Sequence, residues 1–136
     1  MTEKTVMDAL VQMKRTGNLL NEVEDITQQM AQAIDRNDQV SVQMLLAMRE
    51  EPLEKLQAAD RAVREQLEAL AEEAPELAAL LNGAPPAQPG ERTQQMLCDQ
   101  VASNRRRLKQ IMELDAVLGQ RLGRGDSTDR QGGVQA

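Results

Sequence analysis

Not one of the 136 residues is a Phe, Tyr, Trp or His. Rings are what globular chains use to fill a thick core and to line a pocket. An interior made only of Leu, Ile, Val, Met and Ala must be thin. Thin aliphatic interiors belong to long helices packed lengthwise, as in coiled coils and slender bundles. The missing His also removes the commonest acid–base catalyst and metal ligand. The first expectation is an elongated helical protein that binds and does not catalyse, with no cofactor and no metal.

Charge narrows the class further. Lys and Arg number 16 against 22 Asp and Glu, a formal net charge of −6. That balance argues against a general nucleic-acid binder, which needs clustered cations to neutralise phosphate. No apolar stretch approaches the roughly 20 residues that span a bilayer, so membrane insertion is not expected. The first residues, Met1 to Thr5, carry no secretory pattern. A single cysteine, Cys98, fits a reducing compartment, and the expected location is the cytoplasm.

Three helical segments follow from periodicity. In the first, residues 2–35, Val6, Leu10, Met13, Leu20, Val23, Ile26, Met30 and Ile34 recur mostly at three- and four-residue steps. Thr2 suits the N-cap, and Gly17 interrupts the face at a cost of roughly 1 kcal/mol relative to Ala. Asp35 to Asp38 reads as a turn, with Asp38 capping the next helix. The second segment, 38–82, has the most regular seam: Leu46, Arg49, Leu53, Leu56, Asp60, Val63, Leu67, Leu70, Ala74, Leu77 and Leu81. Arg49 and Asp60 are polar seam positions that need solvent or a partner. Pro52 and Pro75 interrupt this segment, and each either kinks the helix or restarts it. Residues 83–90 are a Pro- and Gly-rich linker. The third segment, 91–122, carries Leu97, Val101, Asn104, Leu108, Ile111, Leu114 or Asp115, Leu118 and Leu122. Residues 123–136 are expected to be a disordered tail. The fold class is therefore all-α: an elongated antiparallel three-helix bundle or coiled coil in one helical domain, residues 1–122.

Candidate chemistry is sparse. Glu50-Glu51 and Glu72-Glu73 resemble carboxylate pairs, but neighbours on a helix point about 100° apart and do not converge on one substrate. Cys98 has no His to act as its base. Arg124-Gly125-Asp126 spells an adhesion tripeptide and is read as chance. The acidic second segment and the basic residues Arg105, Arg106, Arg107 and Lys109 are expected to be solvated faces, with electrostatic pairing between antiparallel neighbours. Met44, Leu45, Leu46 and Met48 cover more than one helix face, so some of them are expected to be exposed to a partner. The abundant methionines suit either core filling or an adaptable binding surface.

The stretch Met30 to Asp38, the following Leu45 to Leu56, and the later Asn104-Arg-Arg-Arg-Leu108 together resemble bacterial flagellar export chaperones of the FlgN and FliT type. The resemblance spans most of residues 5–122 and is one of layout. It implies a cytoplasmic chaperone that binds an amphipathic helix of a hook-associated or filament-type subunit, prevents its premature assembly, and delivers it to the export apparatus. On that reading the client meets Leu108, Ile111, Met112, Leu118 and Leu122 of the third segment, with Met44 and Met48 as a second contact. A weak homodimer is compatible with it. The competing reading is a homo-oligomeric coiled-coil scaffold or adaptor without a client, its seams buried between copies.

Overall fold

The computed structural model describes residues 2–86 and 91–129. They are all-α, with helices α1 (Glu3–Asp35), α2 (Gln39–Glu73), α3 (Pro75–Leu81) and α4 (Arg92–Asp129). At about 1.5 Å per residue, α1 and α2 are each on the order of 50 Å long.

The helix ends sit where local chemistry places them. Thr2 caps α1, its hydroxyl accepting from the Thr5 N–H at 3.2 Å. Asn37 takes the left-handed φ of 56° in the turn between α1 and α2, a conformation Asn tolerates better than most residues. Asp38 then caps α2 by accepting from the Ser41 N–H at 3.1 Å and the Ser41 hydroxyl at 2.6 Å. The two prolines behave differently. α2 continues through Pro52, whereas Ala74 leaves the helical region and Pro75 starts α3. Proline at a first helical position removes an N–H that has no partner in any case, and the residue before it is pushed out of the helical region. Of the two outcomes open for the segment 38–82, the helix passes through Pro52 and restarts at Pro75. Asn82 ends α3, and Gly83 follows with φ +95°. Residues 87–90 of the expected linker lie outside the described residues.

The topology is up–down–up. α1 and α4 run parallel and in step: Thr93 donates to Glu3 at 3.5 Å, Asn104 to the Met13 carbonyl at 2.9 Å, and Arg121 to Asp35 at 2.6 Å. α2 returns antiparallel to both, and α3 packs across the base between them. α4 is traced to Asp129, inside the tail expected from Gly123. Residues 130–136 of that tail lie outside the described residues.

The core is aliphatic and falls into three clusters along the axis. The base cluster joins Val6, Leu10 and Met13 of α1 to Leu77, Leu80 and Leu81 of α3 and to Leu97 and Val101 of α4. The top cluster joins Ile26, Met30 and Ala33 to Val42, Leu45 and Leu118. The middle is thinnest: Leu20, Val23 and Ile111 are buried, with Leu53 and Leu56 only half-covered beside them.

Gly17 has a packing role that periodicity does not show. A Cβ there would lie 2.7 Å from Gln100 Nε2 and 2.9 Å from Asn104 Oδ1. The bare backbone lets α4 approach closely enough for Asn104 to donate to the Met13 carbonyl, while Gln100 donates to Asn104 at 2.9 Å. The helix propensity lost at Gly17 is offset by a buried polar contact that fixes the register of α1 against α4.

Candidate functional site

A three-helix bundle has three sides, and here only two are packed. α1 lies close along both α2 and α4, whereas the backbones of α2 and α4 hardly approach one another. The third side is an open groove of about 570 Å³, floored by Met13, Thr16 and Leu20 of α1. Leu56, Gln57, Asp60, Val63, Arg64 and Leu67 form its α2 wall, and Val101, Asn104, Arg105 and Leu108 its α4 wall. Beside Leu108 the α4 wall continues outward as a second shallow trough over Met112 and Ala116, flanked by Arg105, Lys109 and Glu113.

One end of the groove is bridged. Towards the top, Arg49 of α2 donates to Asp115 of α4. The pair spans the gap and supplies the partner that a polar seam residue requires, although Arg49 Nε is buried without a hydrogen bond. Asp60, the other polar seam position, is exposed and pairs with Arg64 at 3.0 Å. Towards the base, the Arg105 guanidinium lies over the turn after α3. A Cβ at Gly83 would lie 2.7 Å from Arg105 Nη1, the movable end of an exposed side chain, so it is the φ of +95° that calls for glycine there. The guanidinium also puts a cation near the carbonyl end of α3, where it is favoured.

The expected binding face on the third segment is split. Ile111 and Leu118 are buried, at 4% and 2% exposure, in the chain's own middle and top clusters. Leu122 is half-buried against the top cluster. Leu108 and Met112 are exposed, at 43% and 62%. A heptad seam on α4 faces α1, so the residues free to meet a partner lie one flank away from it. Met44 and Met48 are exposed, as is Leu46, whereas Leu45 is buried. At 100° per residue Met44 and Met48 share one flank of α2 and Leu46 lies on the other, so the three do not form one patch.

The glutamates of α2 are solvated as expected, and only the pairing with Arg105 to Arg107 is not found. Arg107 reaches Glu24 of α1 at 3.7 Å, and Arg121 reaches Asp35 of α1. The glutamates of α2 are too far from α4 across the open side, and Glu51 pairs within its own helix with Lys55 at 2.9 Å. That local bond lowers the Glu51 carboxyl and raises the Lys55 ammonium from their ordinary pKa values. The Asp38 carboxyl is also lowered, first by the Ser41 hydroxyl, then by the Ser41 N–H and by Arg36.

Leu56, Val63, Leu67 and Arg105 are groove residues that the sequence reading did not assign to a site. The three aliphatic residues look like ordinary core in a seam. The signal that distinguishes them is the narrowness of the stripe. Past Pro52, α2 carries large apolar residues only at seam positions, with Asp60 interrupting the seam and Gln57 and Arg64 on the adjoining flank. A helix that packs on two neighbours at once needs a broader apolar face.

Among the described residues no group of three or more Cys, Asp or Glu side chains could hold a metal ion, and no helix is long and apolar enough to cross a membrane. No protein-family model, curated protein or solved structure matches the chain.

Proposed function

We propose that this chain is a non-catalytic helix-binding protein. It takes an amphipathic helix of a partner protein into the open side between α2 and α4. The observation that supports this most directly is the groove: an aliphatic trough about three helical turns long, left by two helices that do not close on each other. A fourth helix laid there completes a four-helix arrangement and covers apolar surface on both molecules. Leu108 and Met112 sit on the rim where such a helix makes its outer contacts.

The partner class comes from the sequence resemblance. It is a flagellar hook-associated or filament-type subunit, kept unassembled in the cytoplasm and handed to the export apparatus. A client helix that drives subunit polymerisation is amphipathic by necessity, and burying its apolar face in the groove blocks self-association.

The test is affinity capture from a motile flagellated bacterium that makes the protein, with wild type and with Leu108→Glu combined with Met112→Glu. Both positions are exposed, so the double variant keeps its fold. Wild type is expected to retain a hook-associated or filament subunit that the variant loses. Equal recovery by both, or recovery of no flagellar subunit, contradicts the proposal.

A second reading rests on the half-covered seam of α2, where Leu56, Val63, Leu67 and Leu70 are aligned as for pairing with another copy. On that reading the chain is a homo-oligomeric scaffold, and sedimentation at micromolar concentration returns a tight oligomer in place of a monomer.

A further inference from the structure

The two walls of the groove differ in charge. On the α2 wall, Asp60 and Arg64 neutralise each other at 3.0 Å and Gln57 carries no charge. On the α4 wall, the cations that face α1 are used: Arg107 holds Glu24 and Arg121 holds Asp35. Arg105, at the edge where groove and trough meet, and Lys109, on the trough beyond it, have no carboxylate within 4.0 Å among the described residues. Arg106 is likewise unpaired but projects to the solvent side of the helix. The Arg105 guanidinium lies over Gly83 in the turn after α3. One turn beyond Lys109 stands Glu113, also on the trough. The rim beside the apolar stripe Leu108–Met112–Ala116 therefore reads plus, plus, minus at four-residue steps. This local excess of positive charge stands out on a chain whose net charge is −6.

We infer that the helix this groove accepts carries, along the flank that meets α4, two acidic side chains one turn apart and a basic one a turn further on. The inference rests on the helix-binding reading above and specifies the partner's chemistry. The apolar stripe supplies affinity from burial, and the charge pattern chooses among amphipathic helices and fixes which way round the partner lies. A basic or reversed flank brings like charges against Arg105 and Lys109.

The test uses the whole chain labelled with ¹³C at its methionine methyls. Three designed helical peptides of about four turns share one leucine stripe and differ in the flank: acid–acid–base, base–base–acid, or glutamine at all three positions. Binding is followed at Met112 and Met13, which line the trough and the groove, with Met44 on the far flank as the control. The acid–acid–base peptide is expected to bind about fivefold more tightly than the reversed one, as two solvent-exposed ion pairs allow, with the preference shrinking at high salt. Lys109→Glu, on an exposed position, is expected to erase the preference, and Arg105→Glu with Lys109→Glu to invert it, with helicity by circular dichroism unchanged. Equal affinity for all three peptides overturns the charge inference while leaving the helix-binding reading intact. Absence of any Met112 or Met13 shift with all three overturns that reading itself. Shifts that grow with protein concentration alone, before peptide is added, identify a second copy as the occupant and overturn both.

Discussion

α1 and α2 have nearly the same length, 33 and 35 residues, and both carry an aliphatic stripe at helical spacing. Their fates differ. α1 buries residues from Val6 to Ala33 along its whole length, because α2 lies on one side of its stripe and α4 on the other. α2 buries Val42, Leu45, Arg49 and Pro52, and from Leu53 onward its seam is only half-covered. The change falls at Pro52, where the helix ladder lacks one N–H and the ring crowds the preceding turn. A regular heptad stripe thus states which face of a helix is apolar. How deeply that face is buried depends on what flanks it: α1 lies between α2 and α4 along its length, whereas α2 past Pro52 rests on α1 and, towards its end, on the short α3. The surface left over is the groove.

Several substitutions separate the two regions. The largest contrast is between truncations in the sealed base and in the open wall. Leu97→Ala removes a side chain with 0% exposure and should cost about 3–5 kcal/mol in urea unfolding. Leu67→Ala, half-exposed already, should cost about 1 kcal/mol. Equal costs would mean that the open side is closed in solution. Next comes the bond that spans the gap. Asp115→Ala leaves the Arg49 guanidinium buried without its acceptor and should cost about 1–3 kcal/mol. Arg49→Met removes the demand along with the bond and should be close to neutral. If both variants lose the same amount, the pair is worth its contact alone, and the desolvation argument for Arg49 fails.

Smaller effects sharpen the picture at the turn that joins the two helices. The Asp38 carboxyl titrates below its ordinary value because its ionised form accepts from Ser41. A lowered folded-state pKa means that the carboxylate adds stability above the ordinary Asp range, near 4. That contribution is lost as pH falls through the folded value. Asp38→Ala should therefore lower the midpoint of thermal unfolding at neutral pH. The gap from wild type should close at pH values below the folded pKa; a gap that persists there rules out the carboxylate as its source. Leu108→Glu with Met112→Glu should change stability least, by less than about 0.5 kcal/mol, since neither side chain is part of a core cluster.

Much of the fold was legible. The aliphatic spacing of α1, the Asp38 cap, the Asn82-Gly83 stop and the need of Arg49 for a partner all follow from local chemistry, and each is in the structure. What was not legible depends on three-dimensional neighbours. Gly17 looks like a flaw in a helix until Gln100 and Asn104 are placed against it. Ile111 and Leu118 look available to a partner until α4 is seen to turn them onto α1 and α2. Leu56, Val63 and Leu67 look like core until α4 is seen not to reach them. The rim cation Arg105 belongs to a run of three, and only the packing shows that Arg107 is held by α1 while Arg105 overlooks the groove.

The central claim, that the side between α2 and α4 is where a partner helix docks, is tested most directly by photo-crosslinking in cells that make the protein. A benzophenone amino acid is placed in one variant at Leu108, on the groove rim, and in another at Val40, which is 80% exposed at the start of α2. A covalent adduct with a different polypeptide from position 108 and none from position 40 is the expected result. Adducts from both positions alike, or an adduct from position 108 only with a second 15.1 kDa copy of the chain, would contradict the account.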